Sequence, residues 1–158
     1  MKRALLIGGL LWLAAGLAQA AGVTVENAWV RVMPPGARAS AAFMTLKNSD
    51  DKPHALVRAR SDVARLVELH THIHDNGVMR MRPVARIEIP AGGSVALAPG
   101  GYHIMLIDLQ RPIRDGDHVA LELELADGTR LAVQAEARSP RRGAMPAMHH
   151  GHEHHEAH

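Results

Sequence analysis

From Val23 onward, short runs of β-branched and aliphatic residues alternate with clusters of Gly, Pro, Asn and Asp about every ten residues, the rhythm of an all-β sandwich or barrel. The pattern predicts strands at Val23 to Val32, Ala41 to Lys47, His54 to Ala59, Leu66 to Ile73, Val78 to Ile89 with a break at Pro83, Ser94 to Leu97, Tyr102 to Leu109, His118 to Leu125 and Thr129 to Ala137. No long stretch has helical periodicity; at most Ser61 to Leu66 forms a turn of helix.

Two of the turns carry their own chemistry. Asn76-Gly77 and Asp127-Gly128 supply residues that tolerate positive φ, and each predicts a tight hairpin with antiparallel neighbours. In the second, Leu121, Leu123, Leu125, Leu131 and Val133 alternate with Glu122, Glu124, Arg130 and Gln134, so one face is buried and the other wet. In the first, alternation puts His70, His72 and His74 on one face of the incoming strand and Met79 and Met81 on one face of the outgoing strand. A two-residue loop sets His72 opposite Met81 and His74 opposite Met79, with His70 diagonal to Met81.

The ends of the chain differ from its middle. Lys2 and Arg3 precede an apolar run from Ala4 to Ala18 and then Ala18-Gln19-Ala20, the pattern of a cleaved secretory signal over residues 1–20. The run is shorter than the roughly 20 residues that span a bilayer, so no stable membrane insertion is expected after cleavage. The formal net charge of +2 equals the contribution of Lys2 and Arg3, which leaves the mature chain near neutral. With no basic stripe and with Trp12, Trp29, Phe43 and Tyr102 as its only large aromatics, the chain has no footprint for nucleic acid. Residues 21–138 suffice for one domain. Residues 139–158 form a polar tail in which six of the twelve histidines fall within the last ten residues.

Cysteine is absent, so any metal chemistry must run without thiolate. In Tyr102-His103-Ile104-Met105-Leu106, alternation sets His103 and Met105 on one face and Tyr102, Ile104 and Leu106 on the other, where the apolar trio anchors the strand. Thioether sulfur is a soft donor favoured by Cu(I), imidazole suits several transition metals, and calcium or magnesium would demand oxygen. Two Met with two His thus point first to Cu(I), while zinc would recruit Cys, His or carboxylate. Taken singly, a strand Met is more often a core gap-filler and a His a surface or hydrogen-bonded residue, so on pattern alone both readings stand.

The spacing His70, ten residues, Met81, twenty-one residues, His103, one residue, Met105 resembles the His-x10-Met-x21-His-x-Met signature of the periplasmic copper chaperone family PCuAC. Ala28-Trp29-Val30-Arg31, Ala42-Phe43-Met44-Thr45-Leu46, Glu68-Leu69-His70, Gly77 to Val84 and Pro99 to Leu106 agree with it, and the similarity runs from Val23 to Ala137. The resemblance implies a cupredoxin-like Greek-key β-sandwich or barrel of about eight to nine strands. It also implies Cu(I) held by His70, Met81, His103 and Met105 and passed on outside the cytoplasm, with cytochrome c oxidase or its assembly factors as the associated acceptor. Thr71 departs from the many members that have Met there, and it stays outside the ligand set.

The expected role is therefore that of a monomeric periplasmic metallochaperone and not an enzyme, since neither paired carboxylates nor a nucleophile motif nor a phosphate-cradling loop is present. The tail, with Met145, Met148, His149, His150, His152, His154, His155 and His158, is a candidate Cu(II) ligand set or a shield for the main site, and equally a promiscuous solubilising appendage. It also favours the alternative of copper sequestration or resistance. His72 and His74 are either further donors or exposed strand residues. Trp29 is expected in the core, and Arg31, Arg80 and Arg82 in solvent.

Overall fold

The structure, a computed structural model, describes residues 22–140. Ten strands follow one another: β1 (Val23–Arg31), β2 (Ala39–Asn48), β3 (His54–Arg60), β4 (Ala64–Asp75), β5 (Val78–Pro83), β6 (Ile87–Ile89), β7 (Ser94–Leu97), β8 (His103–Leu109), β9 (His118–Leu125) and β10 (Arg130–Arg138). Their order in the sheet is β5-β4-β8-β2-β1-β10-β9-β3-β6, with β7 also paired to β2. All pairings are antiparallel except that of β1 with β10, which is parallel. The fold is all-β, and among the described residues no helix is long and apolar enough to cross a membrane.

The count exceeds the expectation by one because the segment Val78 to Ile89 divides after Pro83, whose ring removes the N–H that a continuing ladder needs. Its halves occupy opposite ends of the strand order. Only residues 84–86 join them, and four Cα steps span at most about 14 Å, so the sheet must curl until its two ends approach. The enclosed core holds Val30, Leu46, Leu56, Ile87, Ile89, Ile104, Leu106, Val119 and Leu123, none of them exposed.

The sequence phase of β1 shifts once. Val23 and Val25 face inward at odd positions, whereas Val30 does so at an even one. The shift is a bulge at Asn27, which takes φ +52° while the register with β2 changes between Glu26 and Trp29. A one-residue slip exchanges the faces of every later side chain. Trp29 and Arg31 therefore lie on the outer face, and Trp29 is not in the core where it was expected.

Two turn expectations are refined. Asn76 and Gly77 both have positive φ (49° and 79°), the two-residue type I′ turn that the sequence predicts. At Asp127-Gly128 only Gly128 is left-handed, and the Gly128 N–H donates to the Leu125 carbonyl at 2.9 Å, a longer type I turn with a bulge; β9 and β10 still pair antiparallel. The helical turn expected at Ser61 to Leu66 is absent. Asp62 and Val63 make a bare turn, and Ala64 to Leu66 already belong to β4.

Candidate metal centre

The outer face of β4, β5 and β8 gathers the chemistry-bearing side chains. Along the β4–β8 ladder His70 stands opposite His103 and Glu68 opposite Met105; along β4–β5 His72 stands opposite Met81 and His74 opposite Met79. The hairpin register anticipated from Asn76-Gly77 is the one observed. The His70 and His103 ring centroids are 5.7 Å apart, and His72 lies closer still to His103, at 5.1 Å.

His103 lies on the face opposite Ile104 and Leu106, as alternation predicts, yet it is buried: only 2% of its surface is exposed. The reason is a second, smaller apolar layer on this outer face. Phe43, itself buried, sits 6.2 Å from the His103 ring and 4.6 Å from Trp29, and the Arg31 guanidinium lies 5.4 Å over Phe43. Tyr102 precedes the strand and packs partly against the main core. Ile104 and Leu106 fill the core as expected.

Hydrogen bonding fixes which nitrogen of each ring is available. The His103 Nδ1–H donates to the Gly101 carbonyl at 3.1 Å; a carbonyl only accepts, so the lone pair is on Nε2. The His70 Nε2–H donates to the Glu68 carboxylate at 2.7 Å, leaving the lone pair on Nδ1. These two nitrogens, His103 Nε2 and His70 Nδ1, are buried with no hydrogen-bond partner. Each costs about 1–3 kcal/mol as it stands, a penalty that a bound ion removes. Carboxylate and carbonyl partners behind the rings are what oriented metal ligands have elsewhere. Burial pushes the His103 pKa down, helped by the neighbouring His72, His70 and Arg31 and opposed by the Gly101 hydrogen bond, so the ring is held in the neutral form that binds metal.

Of the four residues singled out by spacing, His70, His103 and Met105 are brought together on paired strands, with Met105 half-buried. Met81 is 51% exposed and lies opposite His72, one row along and diagonal to His70. The tail residues His149, His150, His152, His154, His155 and His158, like the segment 1–20 expected to be a secretory signal, lie outside the described residues. Among the described residues no group of three or more His, Asp or Glu side chains is arranged to hold a metal ion. Sequence reasoning assigned no part to Glu68 or to the Gly101 carbonyl. Alternation along β4 could have found the first, since Glu68 and His70 are two residues apart on one face.

Residues 23–137 match the family described as "Putative lipoprotein LpqE-like". The chain belongs to the LpqE-like family. Within curated relatives, this LpqE-like chain is 38% identical over 116 residues to "Putative lipoprotein Lxx21020" of Leifsonia xyli subsp. xyli (strain CTCB07), which covers 73% of this chain and 69% of that protein. It is 34% identical over 95 residues to "Uncharacterized protein RP573" of Rickettsia prowazekii (strain Madrid E), spanning 60% of this chain and about half of the relative, 52%. Solved structures agree in fold. The apo-DR1885 solution structure from Deinococcus radiodurans superposes with a TM-score of 0.62 at 36% identity, covering 90% of this chain and 97% of that one. Its CuI-DR1885 counterpart gives 0.63 at 40% identity over 77% and 81%. The copper-bound PCuAC domain from PmoF2 gives 0.65 at 23% identity over 77% and 96%, a likeness of fold alone. The LpqE-like domain thus has the cupredoxin-like β fold of PCuAC domains.

Proposed function

We propose that this protein is a copper carrier of the bacterial periplasm, exported by residues 1–20, that binds Cu(I) through His70, His103, Met105 and Met81 and yields it to an acceptor such as the copper centre of cytochrome c oxidase or its assembly factors. The observation that carries the reading is the pair of buried, unpartnered imidazole nitrogens, His70 Nδ1 and His103 Nε2, side by side between two methionines. The likeness at 40% identity to a structure of CuI-DR1885 supports the choice of metal. All four donors are neutral, two of them soft thioethers and two borderline imidazoles, which suits a monovalent soft ion better than a hard dication.

The architecture supports exchange in preference to turnover. Met81 sits on the open flank, so an acceptor thiolate can enter the coordination sphere there while His103 still holds the ion from below. A cleft of about 670 Å³ runs beside Arg31, Met33, Arg38, Arg111 and Arg114, but its one hydroxyl, on Ser40, is already donated to the Arg31 carbonyl, and no acid–base pair lines it. We therefore read the protein as a carrier and not as an enzyme.

Cu(I) titration against a chromogenic chelator tests the site. His103→Ala and Met105→Leu should weaken binding strongly with the sheet intact by circular dichroism, and unchanged affinity in both would overturn the ligand assignment. Six histidines in the last ten residues favour a second reading, copper sequestration with Cu(II) on the tail. Mixing the loaded protein with an apo acceptor domain separates the two: transfer supports the carrier, complete retention supports storage.

A further inference from the structure

The β4–β5 hairpin carries more donors than one centre uses. His74 and Met79 are directly opposed in register, and His72 and Met81 are opposed one row nearer the core. Both rows share the face of His70, because β4 and β5 run without a bulge up to a type I′ turn that fixes their phase. Directly opposed residues have Cβ atoms about 4.5–5.5 Å apart, within which an imidazole and a thioether can clasp one ion. Successive rows are about 6.7 Å apart, one step for side chains of this length.

Neither methionine of the hairpin is filling a gap. β5 is an edge strand exposed along its whole length, with Met79 46% and Met81 51% exposed. Val78, Met79 and Met81 stand among the few large apolar side chains left in water, in a protein that buries Met44 completely enough to leave 2%. Between His70 and the turn the charges of the hairpin are on its other face, where Arg80 and Asp75 approach to 3.9 Å. From the His70 row to the turn the donor face therefore offers only neutral nitrogen and sulfur, the Glu68 carboxylate beneath being already bonded to His70 Nε2 at 2.7 Å, and this set favours a soft monovalent ion over calcium or magnesium.

We infer that His74 and Met79 form an outer, low-affinity Cu(I) station, and that the ion steps from it past His72 and Met81 to the buried nitrogens of His70 and His103. The inference rests on the proposed copper-carrier reading and extends it with an entry route. The outer station is weaker than the inner one for a physical reason: it has two flexible donors, whereas the inner rings are preoriented by Glu68 and Gly101 and are left unsatisfied until filled. Capture at the tip thus runs downhill to the base, and the reverse path ends at the most accessible point on the hairpin.

The test uses the full-length apo protein with labelled methionine methyl groups, titrated with Ag(I) as a redox-inert stand-in for Cu(I), and stopped-flow loading from a Cu(I)–chelator complex. Met105 and Met81 resonances should move with the first ion, and Met79 should move as further metal is added. In His74→Asn the Met79 movement should be lost. The double variant His74→Asn with Met79→Leu should load several-fold more slowly, with the inner affinity unchanged. An unmoved Met79, a Met79 shift that survives His74→Asn, or unchanged loading would overturn the outer station while Met105 still reported the inner one. Failure of the carrier reading itself looks different, because Met105 and Met81 would then fail to respond at all.

Discussion

At His103, burial and one backbone carbonyl act together on a single ring. The Gly101 carbonyl takes the Nδ1 proton, burial disfavours adding another, and the remaining lone pair points into a space without a partner. Because the folded-state pKa lies below the ordinary imidazole value of about 6.5, the unfolded chain takes up its proton first as the solution is acidified. The stabilising contribution is complete above about pH 6.5 and is lost as the pH falls through the depressed value. Thermal melts of the apo protein from about pH 7 to about pH 5 should show a declining Tm, with a flatter decline in His103→Leu. An identical slope in that variant would refute the assignment. Glu68→Gln, by contrast, keeps the shape of the carboxylate and removes its charge from behind His70. Cu(I) affinity should drop by about 10-fold or more with little change in Tm, read by chelator competition.

Among elements, the β4–β5 hairpin is the most constrained by a local signal. Gly77 sits at φ +79° with open space around it, so a side chain there meets no clash and is penalised only by backbone conformation. Gly77→Val should cost about 1–2 kcal/mol in urea unfolding and loosen Cu(I) binding through lost register of Met81. This hairpin was legible in advance because Asn-Gly encodes both loop length and twist, and the loop length alone decides that His72 meets Met81. The phase shift at Asn27 was also written in the spacing of Val23, Val25, Ala28 and Val30, but the change of phase is lost when the whole stretch is read as one unbroken strand. The environment of His103 was not legible. Alternation reports which face a side chain takes and says nothing about whether that face is later roofed, and here the roof comes from Phe43 and Trp29, 60 and 74 residues earlier in a chain of 158.

For the whole molecule, what could not be seen in advance is closure. The parallel pairing of β1 with β10 and the separation of β5 from β6 depend on contacts distant in sequence, which no local pattern encodes. Composition and turn spacing still settled the all-β class, since those depend on short-range rules.

The short link at residues 84–86 bears on where the metal-bearing edge can move. At its base, Val84 donates to the Leu69 carbonyl at 2.8 Å, and three residues later Ile87 enters the core with no exposed surface. Peeling back that end of β5 would drag the core with it, whereas the Val78 end is held only by its turn and its pairing to β4. Amide exchange along the hairpin should accordingly grade from slow beside Pro83 to fast beside Val78, as read by hydrogen–deuterium exchange; uniform protection would contradict this. An edge that frays at one end and is anchored at the other gives a soft-metal carrier a yielding rim above an unyielding floor.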